Sequence, residues 1–385
     1  MGRRGRPRSR RVRAGRHPMV RPPGERERVI MSVSRWRTAS TRTRAIVASL
    51  AAIAAVGLAV PVITSTQDRH PGADCDEVQV PVSVAEIGNA HVYGELCRPR
   101  HGDGTGKIVQ LLVPGSSYNH SYFDMPVQPS HYSYVAAALG AGYSTFNIDR
   151  LATGRSTLPP SALYTLDSGT EAIHQVISML RAGEIEDRQF AEVVWVGHSL
   201  GSSMAWNEEF DDVDAFVLTG MSHVVRQEPP PSADPGEDIQ FEVTAKDDPK
   251  FRGTVSDPGY LTTKPGVRQF FYYEPNADPA VIEADERLKD LSTAADSDGP
   301  DLPPAQSPSR AITVSTLLVV GDQDQYCTVG VCTAESMLAH ERPYYSDEVD
   351  LAAVVVPDSG HSVQLHKNAP ETNAAILQWI TTAVG

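Results

Sequence analysis

Eight short apolar runs punctuate the chain. They fall at 77–84, 92–96, 108–113, 144–148, 193–196, 215–218, 315–320 and 352–356. The later runs are continuously apolar and rich in Val and Ile, as strands are when both faces are covered. Between the runs, apolar residues recur with helical spacing. In 168–180, Ile173, Val176, Ile177 and Leu180 repeat at i, i+3, i+4 and i+7, and Ser168 with Glu171 fits a capping box. In 371–384, Ala375, Ile376, Trp379 and Ile380 form one stripe. Strands alternating with helices predict an α/β fold, a mostly parallel eight-stranded sheet with helices on both faces.

The alternation breaks between about 223 and 310. This stretch carries Glu228-Pro229-Pro230-Pro231, the Pro-rich run 298–309 and the aromatic cluster Phe270-Phe271-Tyr272-Tyr273, with a helix expected at 279–290. It reads as an insertion over the sheet after the sixth strand. Its aromatics either line a pocket or form a small core of their own.

Charge changes the picture at the N-terminus. Residues 1–64 hold fifteen Arg, no Lys and only Glu25 and Glu27, a net of +13 in a chain of −14. The remaining body, 65–385, therefore carries −27. A body so acidic would repel phosphates, which argues against a nucleic-acid partner. Residues 45–63 are uncharged and follow Arg35, Arg37, Arg42 and Arg44. A basic flank before an apolar core is the layout of an export signal, and Met31 would give it a basic region of ordinary length. Small residues at Gly57-Leu58-Ala59 suit cleavage. A run of 19 residues also just suffices to cross a bilayer, so a retained single-pass anchor is the other reading. The expected organisation is thus signal or anchor at 1–64, linker at 65–76, and one domain at 77–385 with its insertion at about 223–310. The protein is expected to be secreted or extracytoplasmic, touching a membrane only if the apolar segment is retained.

All four cysteines, Cys75, Cys97, Cys327 and Cys332, follow that segment. In an oxidising compartment, pairs Cys75–Cys97 and Cys327–Cys332 are preferred, with the other two pairings left open. No CxxC pair or clustered His accompanies them, so no metal is expected.

The candidate chemistry sits at strand ends. Val193-Val194-Trp195-Val196-Gly197-His198-Ser199-Leu200-Gly201 is an apolar strand followed at once by Gly-x-Ser-x-Gly. There a sharp turn would hold the Ser199 hydroxyl out at the start of a helix. A serine hydroxyl needs a base, an acid to orient that base, and donors for the oxyanion. Val355-Val356-Pro357-Asp358-Ser359-Gly360-His361 offers His361 as the base, with His366 a weaker candidate. Val319-Val320-Gly321-Asp322-Gln323-Asp324 offers Asp324 as the acid, with Asp322 either bracing the turn or taking that role itself. The oxyanion donors would be the backbone N–H of Leu200 and that of Ser116 in Pro114-Gly115-Ser116-Ser117.

Over roughly residues 77–385 the chain resembles the α/β-hydrolase superfamily. The matching features are VGHSLG around Ser199, VPGSS at 113–117, DRLATGRS at 149–156, VVGDQD at 319–324 and SGH at 359–361, in the order Ser199, Asp324, His361. The resemblance implies a cap between the sixth and seventh strands. Pro114 stands where many members have His. Together these features imply an exported serine hydrolase working through an acyl-enzyme on a small-molecule acyl substrate, without cofactor. Carboxylic esters come first as substrates. Amides, lactones and acyl transfer would use the same parts, and a catalytically silent binding protein on the same fold is the contrasting reading.

Overall fold

The computed structural model describes residues 69–100, 107–206, 212–223, 241–297, 302–327 and 332–384. The basic arm and the apolar segment 45–63 lie outside the described residues. Among the described residues, no helix is long and apolar enough to cross a membrane.

The strands, in chain order, are β1 (Ala73–Val84), β2 (Gly88–Pro99), β3 (Ile108–Val113), β4 (Ser144–Ile148), β5 (Glu192–His198), β6 (Ala215–Thr219), β7 (Glu242–Thr244), β8 (Tyr260–Thr263), β9 (Ser292–Thr293), β10 (Ser315–Gly321) and β11 (Leu351–Val356). The helices are α1 (Pro129–Tyr132), α2 (Tyr134–Gly140), α3 (Leu166–Ala182), α4 (Leu200–Trp206), α5 (Pro279–Leu288), α6 (Ala334–Glu341) and α7 (Ala369–Val384). Eight strands form one sheet in the order β1-β2-β4-β3-β5-β6-β10-β11. Only β2 runs against its neighbours; every other pairing is parallel or, at β1, follows from that reversal.

The period-2 geometry of the strands splits the core in two. Val109, Leu111, Val113, Val193 and Trp195 face one way and pack with Ile173, Val176, Ile177 and Leu180 of α3. Leu112, Val194 and Val196 face the other way, towards Val135 and Ala138 of α2 and Ile376 and Ile380 of α7. Each fully buried side chain of this size is worth about 1.5–3 kcal/mol, so both faces carry helices for the same reason.

The eight expected strands are all present, and the differences lie at their ends. β1 starts at Ala73, so residues 73–76, expected as linker, already pair with Pro99 to Leu96. At this end only Ala73 is fully buried, and Asp74 and Asp76 read as polar linker in sequence. Helix α3 begins one turn before the expected start. Thr165 is its cap and Ser168 the reciprocal partner, whereas Glu171 accepts from Gln175 Nε2 at 2.8 Å. The buried stripe of α7 runs through Thr372, Asn373, Ile376, Leu377 and Ile380, with Ala375 and Trp379 only half-buried. α5 stops at Leu288 because Lys289 turns out of the helix and buries its ammonium. Lys289 Nζ donates to Asp248 Oδ2 at 2.9 Å and to Thr263 O at 2.8 Å.

Between β6 and β10, the described part of the insertion holds α5 and a three-stranded antiparallel sheet, β7-β8-β9, which the sequence pattern did not foretell. Strands of two to four residues are too short to show a period. Cys75 pairs with Cys97 across the β1–β2 register, and Cys327 with Cys332.

Candidate active site

β5 ends at His198 and α4 begins at Leu200, leaving Ser199 alone in the turn with φ +53°. A non-glycine residue in the left-handed region is strained, and the surroundings must hold it there. Here the Ser199 N–H donates to Thr219 O on β6 at 2.8 Å, while the Ser199 carbonyl receives the N–H groups of Ser202 and Ser203 in α4. The helix comes so close that a Cβ on Gly201 would stand 2.1 Å from Val113 O. Only glycine fits there, which explains that part of the motif.

The half-buried Ser199 hydroxyl lies 2.9 Å from His361 Nε2. On the far side of the ring, Nδ1 lies 3.1 Å from Asp324 Oδ2 and 3.3 Å from Oδ1. Asp324 is 1% exposed and also accepts the N–H of Tyr326 at 3.1 Å. Asp322 makes no such contact among the interactions around His361. Its Oδ1 accepts the N–H of Ser359 at 3.3 Å, so it braces the turn before the histidine.

His366, the weaker base candidate, faces away from Ser199. Its Nε2 accepts the N–H of Gly360 at 3.0 Å and of Tyr273 at 2.9 Å, and its Nδ1 donates to Ser362 O at 3.0 Å. Two N–H groups aimed at Nε2 require a neutral ring with its proton on Nδ1. Burial pushes this imidazole down to about 4. It holds the loop that carries His361.

The loop after β3 abuts the serine. A Cβ on Gly115 would come within 2.9 Å of Ser199 Cβ and 3.1 Å of His198 O. Arg150, at the end of β4, donates from Nε to Pro114 O at 2.9 Å and from Nη2 to Gly115 O at 3.0 Å. Ser116 and Leu200 both border the same cavity as Ser199.

A sequence profile described as the Alpha/beta hydrolase family matches residues 110–375, well over half of the chain. The protein belongs to the α/β-hydrolase family. No curated protein matches it in sequence. Among solved structures, it is similar to an esterase from Exiguobacterium antarcticum, at 17% identity over 79% of this chain and 100% of that one, with a TM-score of 0.49. It is also similar to a monoacylglycerol lipase from Paleococcus ferrophilus, at 15% identity over 81% and 99% of the two chains, with a TM-score of 0.47. A membrane phospholipase A shares 14% identity over 81% and 87%, with a TM-score of 0.50. At such identities the likeness is one of fold.

In this α/β-hydrolase, the cavity over Ser199 measures about 360 Å³. The aromatic cluster of the insertion takes the pocket-lining role in part, and its buried member joins the core of the main sheet rather than a core of its own. Phe270 and Phe271 line the cavity, whereas Tyr272 is buried and donates to Asp285 Oδ2 at 2.8 Å. Tyr326 borders the cavity beside His361, and burial, followed by the charge of Asp324, pushes its hydroxyl up to about 12. Directly behind the serine, His198 stacks on Tyr122 at 3.9 Å. Burial, reinforced by the charges of His361 and Arg268, holds His198 far below its ordinary range and therefore neutral.

Several site residues had no sequence signal. Glu242 and Asp296, both in the insertion, border the cavity. Burial raises the Glu242 carboxyl; a hydrogen bond from Ser292 lowers it in part, and Asp296 adds to the rise. Asp296 Oδ2 accepts the Ser116 hydroxyl at 2.8 Å, across 180 residues of sequence. Glu242 opens the three-residue β7 and Asp296 follows the two-residue β9, strands with no apolar run to mark them in the sequence.

Proposed function

We propose that this α/β-hydrolase is an extracytoplasmic serine hydrolase that cleaves carboxylic esters through an acyl-enzyme. One observation carries the reading. Ser199 Oγ, His361 and Asp324 stand in a hydrogen-bonded line at the cavity floor, 2.9 Å and 3.1 Å apart.

Ser199 Oγ attacks the ester carbonyl as His361 Nε2 takes its proton. Asp324 holds the ring with Nδ1–H directed at its carboxylate and balances the imidazolium. The carbonyl oxygen, now negative, accepts the backbone N–H groups of Leu200 and Ser116. Leu200 opens α4, where N–H groups lack intrahelical acceptors, so it is suited to this task. Collapse expels the alkoxide, which leaves with the proton from His361. Water then repeats the sequence on the acyl group and frees Ser199. Esters precede amides because an alkoxide leaves more readily than an amide nitrogen.

Export is supported by the disulfides Cys75–Cys97 and Cys327–Cys332, which persist in oxidising compartments. A fluorophosphonate probe tests the chemistry. The expected result is a single adduct on the Ser199 peptide, abolished in Ser199→Ala; a folded wild-type protein without that adduct would contradict the reading. N-terminal sequencing of the mature protein decides between a cleaved signal and a retained anchor.

A further inference from the structure

Ser117 follows the proposed oxyanion donor and is the second strained residue of the site, with φ +56°. Such a conformation costs about 1–3 kcal/mol and persists only where neighbours over-determine it. The neighbours here come from the insertion. Arg268 Nη1 donates to Ser117 Oγ at 2.9 Å and to Ser117 O at 3.1 Å. The N–H of Asp290 donates to the same carbonyl at 2.8 Å. Arg268 Nη2 donates to Asp285 Oδ1 at 2.5 Å, and the guanidinium carbon sits 3.9 Å from the centre of the Tyr118 ring. Tyr118 in turn hydrogen-bonds Ser362, beside His361, at 2.7 Å. Arg268 is fully buried.

A buried ion pair is a poor device for stability, since desolvation absorbs most of its attraction and apolar replacements are often no worse. What it does provide is a fixed direction. The planar fork grips Ser117 with one nitrogen and Asp285 with the other, which a lysine cannot reproduce.

We propose that Arg268 is a positioning residue of the oxyanion loop: it holds Ser117 in its left-handed conformation and, with Arg150 fixing the Gly115 carbonyl, keeps the preceding Ser116 N–H directed at the developing oxyanion. This rests on the serine-hydrolase reading above. It makes the insertion part of the catalytic framework and gives an α/β-hydrolase whose turnover depends on a side chain that never touches substrate.

The test compares the wild type with Arg268→Met/Asp285→Leu and with Arg268→Lys, using p-nitrophenyl acetate as substrate and phenylboronic acid, which forms a tetrahedral serine adduct, as inhibitor. A misaimed donor should cost about ten- to a hundredfold in kcat, less than the loss of a whole oxyanion donor. KM should change by no more than about threefold, because the ground-state ester gains little from the donor. The inhibition constant of phenylboronic acid should rise in step with the fall in kcat, and the pH profile should keep its shape. A role confined to holding the fold would move the melting temperature and leave that proportionality absent. Should the double variant fail to fold, Arg268→Lys is judged by the same criteria. Folded variants with kcat within about twofold of wild type would overturn the proposal, given that oxyanion contacts are worth far more. If the wild type itself takes no fluorophosphonate on Ser199, the hydrolase reading fails and takes this proposal with it. Labelling in the wild type with unchanged kcat in the variants defeats this proposal alone.

Discussion

The two walls of the cavity are built on different physics. On the nucleophile side, Ser199 is held by main-chain geometry: β5 ends, α4 begins, and the backbone of β6 receives the Ser199 N–H. Apolar packing on both sheet faces fixes these elements. On the oxyanion side, the loop from Pro114 to Tyr118 is held by side chains. Arg150 grips its first two carbonyls from the end of β4; from the insertion, Arg268 and the backbone N–H of Asp290 hold the Ser117 carbonyl, and Asp296 accepts the Ser116 hydroxyl. The first wall is over-determined by burial, which is non-directional and tolerant. The second depends on a few directional bonds, each of which leaves a buried group unpaired when cut. The nucleophile wall should therefore lose chemistry without losing structure when its reactive atoms are removed, while the oxyanion wall should lose aim.

The largest expected effect comes from Ser199→Ala. Removing the nucleophile should lower kcat by about 10⁶, leaving only whatever the oxyanion donors supply. The melting temperature should stay within a degree or two, because the elbow is held by backbone; calorimetry beside the kinetic assay checks both. A large drop in melting temperature would break the contrast between the walls. Next comes Asp324→Asn, which should lower kcat by about 10⁴ by favouring the wrong His361 tautomer. Asp322→Asn should stay within about threefold, since an amide oxygen can still accept the Ser359 N–H. A reversed pair of results would make Asp322 the acid.

A smaller effect is tied to pH. His366 is pushed down to about 4 by burial, against an ordinary 6.5. The folded state therefore favours the neutral ring. As pH falls below 6.5 the unfolded chain takes up the proton first, and stability drains until about pH 4, by about 3 kcal/mol in total. The same protonation opposes the Gly360 and Tyr273 N–H bonds, so the His361 loop should loosen over this window. Denaturant titrations at several pH values should show wild type losing more stability than His366→Gln across it. Equal losses would remove His366 from that role. Effects of the same size and below concern the disulfides. By loop closure alone, the Cys75–Cys97 pair, 22 residues apart, should be worth about 3 kcal/mol and Cys327–Cys332, 5 apart, about 2 kcal/mol. Paired Cys-to-Ser variants, melted side by side, give the order.

The same division governs how much could be read in the sequence. The strands of the main sheet are apolar runs, so their existence was readable, as were the chain positions of Ser199, Asp324 and His361 just past strand ends. What distinguishes Asp324 from Asp322 is a turn of two residues, and Gly321-x-x-Asp324 carried it. The start of α3 was misplaced by one turn because Thr165, Ser168 and Glu171 offer overlapping caps, and only the extended backbone at Thr165 selects among them. The contact between Arg268 and Ser117 had no signal. They are 151 residues apart, and a buried charge looks in sequence like any surface charge. A resemblance to a family points to candidate reacting groups at strand ends; it does not point to a buried side chain in an insertion of irregular composition.

The most direct measurement is an acid-quenched mixing experiment with p-nitrophenyl acetate, followed by peptide mass spectrometry. The account predicts a burst of nitrophenol close to one equivalent per enzyme, with an acetyl group on the Ser199 peptide during that burst. Turnover of the ester with no acetyl group on Ser199, or with one on another residue, would contradict it.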